Sequence, residues 1–285
     1  EFWERVARGR VLLVPFCFGN QLLLAIFQYV YFIVCYHSEQ FDILHANQLT
    51  GLLFVLFRPK NVGKIVVTVH NTWEQMVVCS RLRIKKMLYN PLIWLEAIVF
   101  RRADGLVFHT RSEKRYVTAK YTIRTPSVVV PLGAPCVPQS VRDTRLVRRV
   151  VRKEVGVPEN SAIVLFIGRL TPRKNVATML RALHILQRQA KEFYGLVIGE
   201  GADRSRLEDL APANVRFLGF VPDTRSYLLA ADMFVLPSVA EGGVALSVLE
   251  AAAYGLPLLV SSEASDETIL VHGKNGYVID PYDAE

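Results

Sequence analysis

Two cations stand in a short loop between an apolar run and a helical pattern. The run AIVLFI ends at Gly168, Arg169 and Lys174 follow it, and helical periodicity begins near Asn175. Cationic side chains beside the N-terminus of a helix form an anion site, because the backbone amides there add to the charge and to the donor fork of arginine. The loop therefore predicts phosphate binding. The alternative is a solvated turn in which Asn175 caps the helix.

Two glutamates flank a glycine pair in the segment AEGGVALSVLEAAAYG, residues 240–255. Glu241 precedes the pair, and Glu250 lies within the apolar helix predicted after it. A carboxylate among apolar residues is costly unless it has partners. The hydroxyl groups of a ribose or a sugar would satisfy both acids. A structural salt bridge or a backbone cap is the alternative for either one.

Three histidines end predicted strands, namely His45 in DILHAN, His70 in VTVHNTW and His109 in VFHTRSE. A lone histidine at such a position is more often a structural hydrogen-bond donor than a catalyst. His70 is the stronger candidate for chemistry because the polar residues Asn71 and Thr72 follow it.

Sequence patterns for nucleotide binding and metal binding limit the classes of enzyme that we expect. Gly199 and Gly201 form a G-x-G between a strand and a helix, which alone is a weak nucleotide signal; G-x-G-x-x-G is absent, so an NAD enzyme is disfavoured. The chain has no D-x-D and no grouping of His, Cys and Asp with metal-ligand spacing. We therefore expect no metal and no cofactor, and protein cations and amides in place of Mg²⁺ around a diphosphate.

Short apolar strands alternate with helices along the chain. They lie at 43–46, 65–70, 105–110, 127–133, 162–168, 194–201, 215–220, 233–238, 256–261 and 276–280. Apolar strands that alternate with helices predict an α/β fold with parallel sheets covered on both faces. Prolines punctuate the chain near residue 137, which predicts two Rossmann-like domains, 1–137 and 138–285, facing each other across a cleft. Ligands in such folds bind at the carboxyl ends of the strands, where the residues above lie.

Composition limits the partners. The chain has 285 residues, is 51% hydrophobic and carries a net charge of +8, which indicates a folded protein with anionic partners or a solvated basic surface. Four cysteines lie far apart without a C-x-x-C pair, so we expect reduced thiols in a cytoplasmic protein. The cations are spread over several helices and a loop instead of forming a basic stripe with aromatics, so we expect no nucleic-acid partner.

Two segments bear on membranes. The uncharged run before residue 38 is interrupted and short for a membrane span, so we expect a strand at 11–14 and then a helix from about residue 22, buried on most sides or lying on a membrane surface. A basic amphipathic helix at 80–102, kinked or broken at Pro91 and containing Trp94, predicts peripheral contact with an anionic membrane. An ordinary solvated helix is the alternative.

The ordered series of segments resembles the glycosyl transferases group 1 (family four), retaining glycosyltransferases of the GT-B fold. FDILHAN, VVTVHN, ADGLVFHT, VVVPLGA, FIGRLTPRKN, VIGEG, VRFLGFVPD, ADMFVLPS and EGGVALSVLEAAAYGLPLLVS follow one another in family order, from about residue 41 to residue 280. The resemblance implies transfer of a sugar from a nucleotide diphosphate sugar, with retention of anomeric configuration. It also implies an acceptor-side first domain and a second domain that binds the nucleotide sugar.

The resemblance implies roles for residues around the sugar and the diphosphate. Arg169 and Lys174 would hold the donor diphosphate, and His70 would lie beside the transferred sugar. Glu241 would meet the donor sugar and phosphate together with the amides of Gly242, Gly243, Val244 and Ala245. Arg169, Lys174, His70 and Glu241 are therefore the predicted catalytic residues.

The resemblance also implies a nucleotide pocket. Glu250 would bind the ribose, Gly199 and Gly201 would shape the pocket, and the backbone near Phe220 and Val221 would contact the base.

The chain departs from the family pattern at two places. The family usually separates the two glutamates by seven residues, whereas eight lie between Glu241 and Glu250, so that Gly242 occupies the expected position. A bulge at the glycine pair would restore the carboxylate. The family's first strand with its Gly-rich loop, and its C-terminal helix, have no counterpart in the chain, so we expect both domains to be incomplete.

The predicted function is sugar transfer to a glycan or lipid-linked acceptor by a cytoplasmic enzyme, peripheral on the inner face of the membrane. One alternative is a nucleotide-sugar epimerase of the same fold, which would turn over a donor without an acceptor. The other is a non-catalytic protein that binds a nucleotide sugar or a nucleic acid.

Overall fold

The computed structural model describes residues 21–70, 72, 83–133, 144–189, 192–241 and 243–284. Ten strands in these ranges form two sheets, and each sheet draws its strands from one side of the predicted boundary between residues 137 and 138. That boundary lies between described ranges, so its position stays a prediction.

The first sheet has four strands in the order β1-β2-β3-β4. They are β1 (Phe41–Asn47), β2 (Val62–Thr68), β3 (Gly105–Phe108) and β4 (Ser127–Val129). The pairs β1–β2 and β2–β3 are parallel. The helices in this part of the sequence are α1 (Gln21–Tyr36), α2 (Leu52–Leu56), α3 (Arg83–Arg102) and α4 (Arg111–Lys120). A short 3₁₀ helix, Gln48–Gly51, precedes α2.

The second sheet has six parallel strands in the order β10-β9-β8-β5-β6-β7. They are β5 (Ala162–Ile167), β6 (Phe193–Ile198), β7 (Val215–Gly219), β8 (Met233–Leu236), β9 (Leu258–Ser261) and β10 (Gly276–Ile279). The accompanying helices are α5 (Thr144–Val155), α6 (Val176–Arg188), α7 (Arg204–Asp209), α8 (Arg225–Ala230) and α9 (Leu246–Ala253). One apolar core of β-branched, leucine and phenylalanine side chains joins this sheet to its helices.

The described residues divide into two compact units. The first contains the described residues up to Val69 together with Trp94–Val107 and Ile123–Ser127. The second contains the remainder, including His70, the end of β3 with α4, and all of the second sheet. All of the predicted site residues that the structure describes therefore belong to the second unit.

Two helices differ from their predictions. The helix α1 begins as expected, but it is not buried on most sides: Leu23, Ile26, Phe27, Val30 and Val34 are exposed. The helix α3 continues through Pro91 without a break. The strand predicted at 11–14 lies outside the described residues. None of the described helices is both long enough and apolar enough to cross a membrane.

The strand order of the second sheet locates a ligand site. From β5 the chain runs through β6 and β7 on one side and through β8, β9 and β10 on the other, so the order reverses between β5 and β8. Open parallel sheets bind ligands beyond the carboxyl ends of the strands at such a reversal. The loops that follow β5 and β8 carry Arg169, Lys174 and Glu241.

Candidate functional site

The loops after β5 and β8 meet through an ion pair. The ammonium group of Lys174 lies 2.6 Å from Oε1 of Glu241, and both side chains are nearly buried. The hydroxyl of Ser238 donates to the same oxygen at 2.9 Å, and a guanidinium nitrogen of Arg173 lies 3.9 Å from Oε2. The amide of Val239 donates to the carbonyl of Arg173 at 2.9 Å. Glu241 is therefore held by side chains and is already charge-compensated in the absence of ligand.

The backbone after β5 explains where Lys174 points. Pro172 opens a one-turn 3₁₀ helix that ends at Lys174, and Asn175 then adopts the left-handed conformation, with φ of 50°. Asn175 stands at the N-cap of α6, but its side chain makes no cap bond and donates instead to the carbonyl of Pro281. The alternative of a solvated turn is therefore wrong for Lys174, which the tight turn directs inward, and Asn175 occupies the N-cap position without a cap bond from its side chain.

Arg169 contrasts with Lys174 in the same loop. Its side chain is exposed and forms no ion pair with any residue in the part of the chain that the structure describes. An exposed guanidinium without a partner keeps its donors available to an anion.

Gly199 and Gly201 bring two loops together. A Cβ on Gly199 would lie 1.9 Å from the carbonyl oxygen of Gly168, and one on Gly201 would lie 2.1 Å from that of Leu170. The amide of Leu170 donates to the carbonyl of Glu200 at 2.8 Å, which fixes this contact. The glycines are thus required for the approach of the loop after β6 to the loop that carries Arg169. Their predicted role in a nucleotide pocket stays a prediction.

The segment after β8 leads into α9. Gly242 lies outside the described residues, so a bulge at the glycine pair is not tested, although Gly243 has a φ of 113° that favours glycine. Val244 is half-buried, and the amide of Ala245 donates to the carbonyl of Ala264 at 3.3 Å. The amide of Ala245 thus has a backbone acceptor in this structure, and its predicted contact with a ligand stays a prediction. The first amides of α9, those of Leu246 and Ser247, precede its first intrahelical bonds.

Glu250 lies in the second turn of α9 and is half-buried. It has no hydrogen-bond or ion-pair partner among the described residues, and burial raises the pKa of its carboxyl. Phe220 is 74% exposed after β7, whereas Val221 packs against the core of the second sheet. An aromatic face and an unpartnered acid are thus both present in this unit.

His70 and His109 lie together after β2 and β3. Their ring centroids are 5.0 Å apart, with a tilt of 36° between the rings. Nδ1 of His109 lies 3.2 Å from the carbonyl oxygen of Val130, whereas its Nε2 is buried without a partner. His45 makes a structural contact, because its Nε2 lies 2.6 Å from the hydroxyl of Thr68. Burial lowers the pKa of His45.

Glu113 adjoins this histidine pair and was missed from the sequence. Thr110 caps α4, because its hydroxyl accepts from the amide of Glu113 at 3.0 Å, and Oε2 of Glu113 accepts from the amide of His109 at 3.2 Å. Burial raises the pKa of Glu113 to about 8, against the lowering effect of hydrogen bonds from the backbone amides of His109 and Thr110. The spacing T-x-x-E at 110–113 is a capping-box signal that could have identified it. Within the same unit, a Cβ on Gly243 would lie 3.2 Å from the methyl group of Thr110.

Comparison with protein families decides the class. The model described as Glycosyltransferase Family 4 matches residues 3–136, and the model described as Glycosyl transferases group 1 matches residues 147–285. The chain belongs to the group 1 glycosyltransferases. The two models match in the order that the resemblance predicted, and the family prediction is confirmed.

Similar proteins agree with this membership. The O-antigen biosynthesis glycosyltransferase WclY of Escherichia coli is 26% identical over 79% of this glycosyltransferase chain and 62% of its own length. The UDP-Gal:alpha-D-GlcNAc-diphosphoundecaprenol alpha-1,3-galactosyltransferase of Escherichia coli is 25% identical over 87% of the chain and 65% of its own length. The chain therefore spans less than two thirds of the length of these relatives.

A solved structure confirms the fold. The sucrose-phosphate synthase of Thermosynechococcus elongatus superposes with a TM-score of 0.72 at 20% identity, over 97% of the present chain and 69% of its own. The two parallel α/β sheets and this similarity show the GT-B fold predicted for the glycosyltransferase.

Proposed function

We propose that the protein transfers a sugar from a nucleotide diphosphate sugar to a glycan or lipid-linked acceptor, with retention of anomeric configuration. One observation carries the proposal: the loops at the reversal of the second sheet bring the Lys174–Glu241 pair and the unpartnered Arg169 to the carboxyl ends of its strands. Family membership supplies the reaction class, and this cluster supplies the groups that the reaction needs.

The chemical barrier is cleavage of the bond between sugar C1 and the phosphate oxygen. Negative charge grows on the leaving diphosphate while the sugar ring gains positive character. Arg169, Lys174 and the first amides of α9 stabilise the leaving group as fixed, preorganised donors. These protein groups take the place of a divalent metal in the proposal, which includes no metal ion and no cofactor.

Retention is proposed through attack on the face that the diphosphate leaves. The acceptor oxygen forms the new bond to C1 as the phosphate oxygen departs, and the acceptor's proton passes to that phosphate oxygen. The ion pair makes Glu241 a poor covalent nucleophile, because Lys174 balances the charge of the carboxylate while Lys174 and Ser238 both bind its Oε1. Its role in the proposal is to orient sugar hydroxyls, with His70 beside the sugar.

The nucleotide is proposed to lie along α9. Glu250 has no partner among the described residues and burial disfavours its charge, so a ribose with two hydroxyl donors would relieve it. The backbone near Phe220 and Val221 is proposed to contact the base. The name of the galactosyltransferase relative states UDP-Gal as its donor, which makes UDP-sugars the first donors to test.

The acceptor is proposed to be an intermediate of bacterial-type polysaccharide assembly, glycan or lipid-linked. The names of the relatives state O-antigen biosynthesis and a diphosphoundecaprenol acceptor. Trp94 on α3 is 65% exposed, and Arg101 and Arg102 at the end of the helix are exposed too. We therefore propose a cytoplasmic protein with peripheral contact through α3, for which co-sedimentation with liposomes should rise with their anionic lipid content.

The test begins with thermal-shift screening of UDP-, GDP- and ADP-sugars on the full-length protein, because a bound donor raises the melting temperature by mass action. The donor that binds is then incubated with acceptor, with and without a chelator, and NMR assigns the anomeric configuration of the product. Turnover without acceptor would identify an epimerase, and binding without turnover a non-catalytic protein. Loss of activity with the chelator, or an inverted product, would contradict the proposed mechanism.

A further inference from the structure

The turn after β3 buries an acid that the donor chemistry above does not use. Glu113 is 5% exposed, and the amide of His109 donates to its Oε2. Its other oxygen, Oε1, is buried without a partner, and no cation pairs with the carboxyl in the described part of the chain. The backbone amides of His109 and Thr110 favour the charged form, but burial without a cation outweighs them, so the carboxyl retains its proton at neutral pH.

The carbonyl of Val130 orients the His109 ring. This carbonyl can only accept a hydrogen bond, so Nδ1 of His109, 3.2 Å away, carries a proton. Nε2 is buried without a hydrogen-bond partner among the described residues. The turn therefore holds the buried acid close to an oriented imidazole ring.

His70 lies against this turn. The His70 ring lies 5.0 Å from the His109 ring, and the carboxyl of Glu113 accepts a hydrogen bond from the backbone amide of His109. Glu113 is therefore connected to His70 through His109.

Other charged groups around the acid are accounted for. Its own helix carries Arg111, Lys114 and Arg115, none of which forms an ion pair with Glu113, and Arg115 pairs with Glu267 at 3.5 Å. The loop of Gly243, which approaches Glu113 and Thr110, also carries Glu241, whose charge Lys174 balances. His109 and, next to it, His70 are thus the side chains through which Glu113 can act on the site.

We propose that Glu113, as a neutral acid, and His109 are positioning residues that hold His70 in place for the transfer step. The proposal rests on the proposed function, in which His70 lies beside the transferred sugar. Ionisation of Glu113 would leave a buried carboxylate without a cation, and the turn would have to rearrange to solvate it. We therefore expect the rate of the transfer step, and not the affinity for the donor, to depend on the proton of Glu113.

Kinetics of three variants in the full-length protein test the proposal. Glu113→Gln keeps the size and replaces the neutral carboxyl with a neutral amide that does not ionise, and Glu113→Ala removes the group. Glu267→Gln is the control, because Glu267 is an exposed acid in the same unit. We expect wild-type and Glu267→Gln kcat to fall about tenfold between pH 7 and 9.5, and Glu113→Gln to lose this fall. Glu113→Ala should lower kcat at pH 7 about tenfold with donor KM within about twofold.

Two outcomes would overturn the positioning role. One is a fall in the kcat of Glu113→Gln between pH 7 and 9.5 that equals the fall in wild type. The other is a wild-type kcat in Glu113→Ala. If Glu113→Ala does not melt cooperatively, the pH profile of Glu113→Gln carries the test by itself.

A second measurement needs no turnover and separates this proposal from the proposed function. The Hε1 resonances of His70 and His109 are followed from pH 6.5 to 9.5, with assignment by His70→Asn and His109→Asn. We expect an inflection near the pKa of Glu113 in wild type and in Glu267→Gln, and its absence in Glu113→Gln. The same inflection in Glu113→Gln would overturn the proposal. A protein that transfers no sugar but passes this test would refute the proposed function alone.

Discussion

Two buried glutamates follow strands of the two sheets, and they are treated in opposite ways. Glu241, after β8, receives the ammonium of Lys174 at 2.6 Å and the hydroxyl of Ser238 at 2.9 Å. Glu113, after β3, accepts a hydrogen bond from the amide of His109 at 3.2 Å and pairs with no cation among the described residues, and burial raises its pKa to about 8. The same residue type is a fixed charge in one place and a neutral hydrogen-bonding group in the other. The difference comes from the partners that the fold brings, because burial alone would neutralise both.

The largest expected effect tests whether the loop that carries Arg169 and Lys174 acts on a ligand. Arg169 has no ion-pair partner among the described residues, so Arg169→Ala should leave the melting temperature unchanged. We expect kcat/KM for donor and acceptor to fall about 10²- to 10³-fold, because a preorganised cation is lost from the developing diphosphate charge. Steady-state kinetics of the full-length enzyme measure this.

The control for that experiment is Arg206→Ala. Arg206 is an exposed arginine on α7, and its partner is Asp203 at 3.3 Å. Its replacement should change kcat/KM by less than about twofold, because exposed ion pairs contribute little. Equal losses in the two variants, or near-normal activity of Arg169→Ala, would remove Arg169 from the proposed mechanism.

The ion pair gives the next largest effect, on stability. Lys174→Met leaves the carboxylate of Glu241 nearly buried with only Ser238 and the more distant Arg173, so we expect a loss of ~3 kcal/mol in the free energy of unfolding. The double variant Lys174→Met with Glu241→Gln should recover most of that loss, since no uncompensated charge remains. Urea denaturation of the two single variants and the double variant measures the coupling. Strictly additive losses would show that the 2.6 Å contact contributes nothing.

The strands were predictable from the sequence because each is a local apolar run. Ten of the eleven expected strands exist, and the eleventh, at 11–14, lies outside the described residues. The ten differ from their predictions at their ends: the run at 194–201, for example, ends as β6 at Ile198, because Gly199 has a φ of 136°. Of the kink or break predicted at Pro91, the break was wrong, because proline is only a local cost, which the rest of a long helix outweighs here. Of the two placements expected for α1, burial on most sides was wrong, because an apolar sequence does not determine what packs against it. Its placement on a membrane surface stays a prediction.

The charged part of the site was half predictable. The sequence identified Glu241 and Lys174 as site residues but assigned both to a ligand, whereas the fold pairs them with each other. Two residues distant in the sequence become partners only through the strand order, which apolar runs do not reveal. Glu113 escaped notice because its T-x-x-E spacing indicates a helix cap, and a cap is ordinarily exposed. Its burial depends on the neighbouring turn, not on its own segment.

Neutralisation of Glu113 should have a smaller effect on the free energy of unfolding, and of opposite sign. The folded state keeps the proton of Glu113 up to a pH of about 8, whereas the unfolded chain loses it near the ordinary pKa of a glutamate, 4.5. Stability should therefore fall as pH rises between these values and stay level above pH 8. Glu113→Gln abolishes this dependence, so we expect it to be more stable than wild type by ~2 kcal/mol at pH 9 and nearly equal at pH 4.5.

Urea denaturation at both pH values measures that difference. Glu267→Gln is the control again, because its exposed side chain should show no such dependence. If Glu113→Gln loses stability at pH 9, as Glu241→Gln should, Glu113 is a charged acid in the folded state, and the difference between the two glutamates is refuted.

The smallest expected effect concerns Glu250, which lies between the two extremes. It is half-buried and has no hydrogen-bond or ion-pair partner among the described residues, and burial raises its pKa, so its charge costs stability. Glu250→Gln should therefore leave the melting temperature of the ligand-free protein equal or slightly higher. It should weaken binding of the nucleoside diphosphate about tenfold, because a charged acceptor for ribose hydroxyls is lost. Calorimetry with the ribonucleotide and its 2′,3′-dideoxy analogue isolates that contact: the analogue should bind wild type and Glu250→Gln alike. A variant that loses affinity for both nucleotides equally would show that Glu250 acts through the fold, as Glu241 does through Lys174, and not through the ribose.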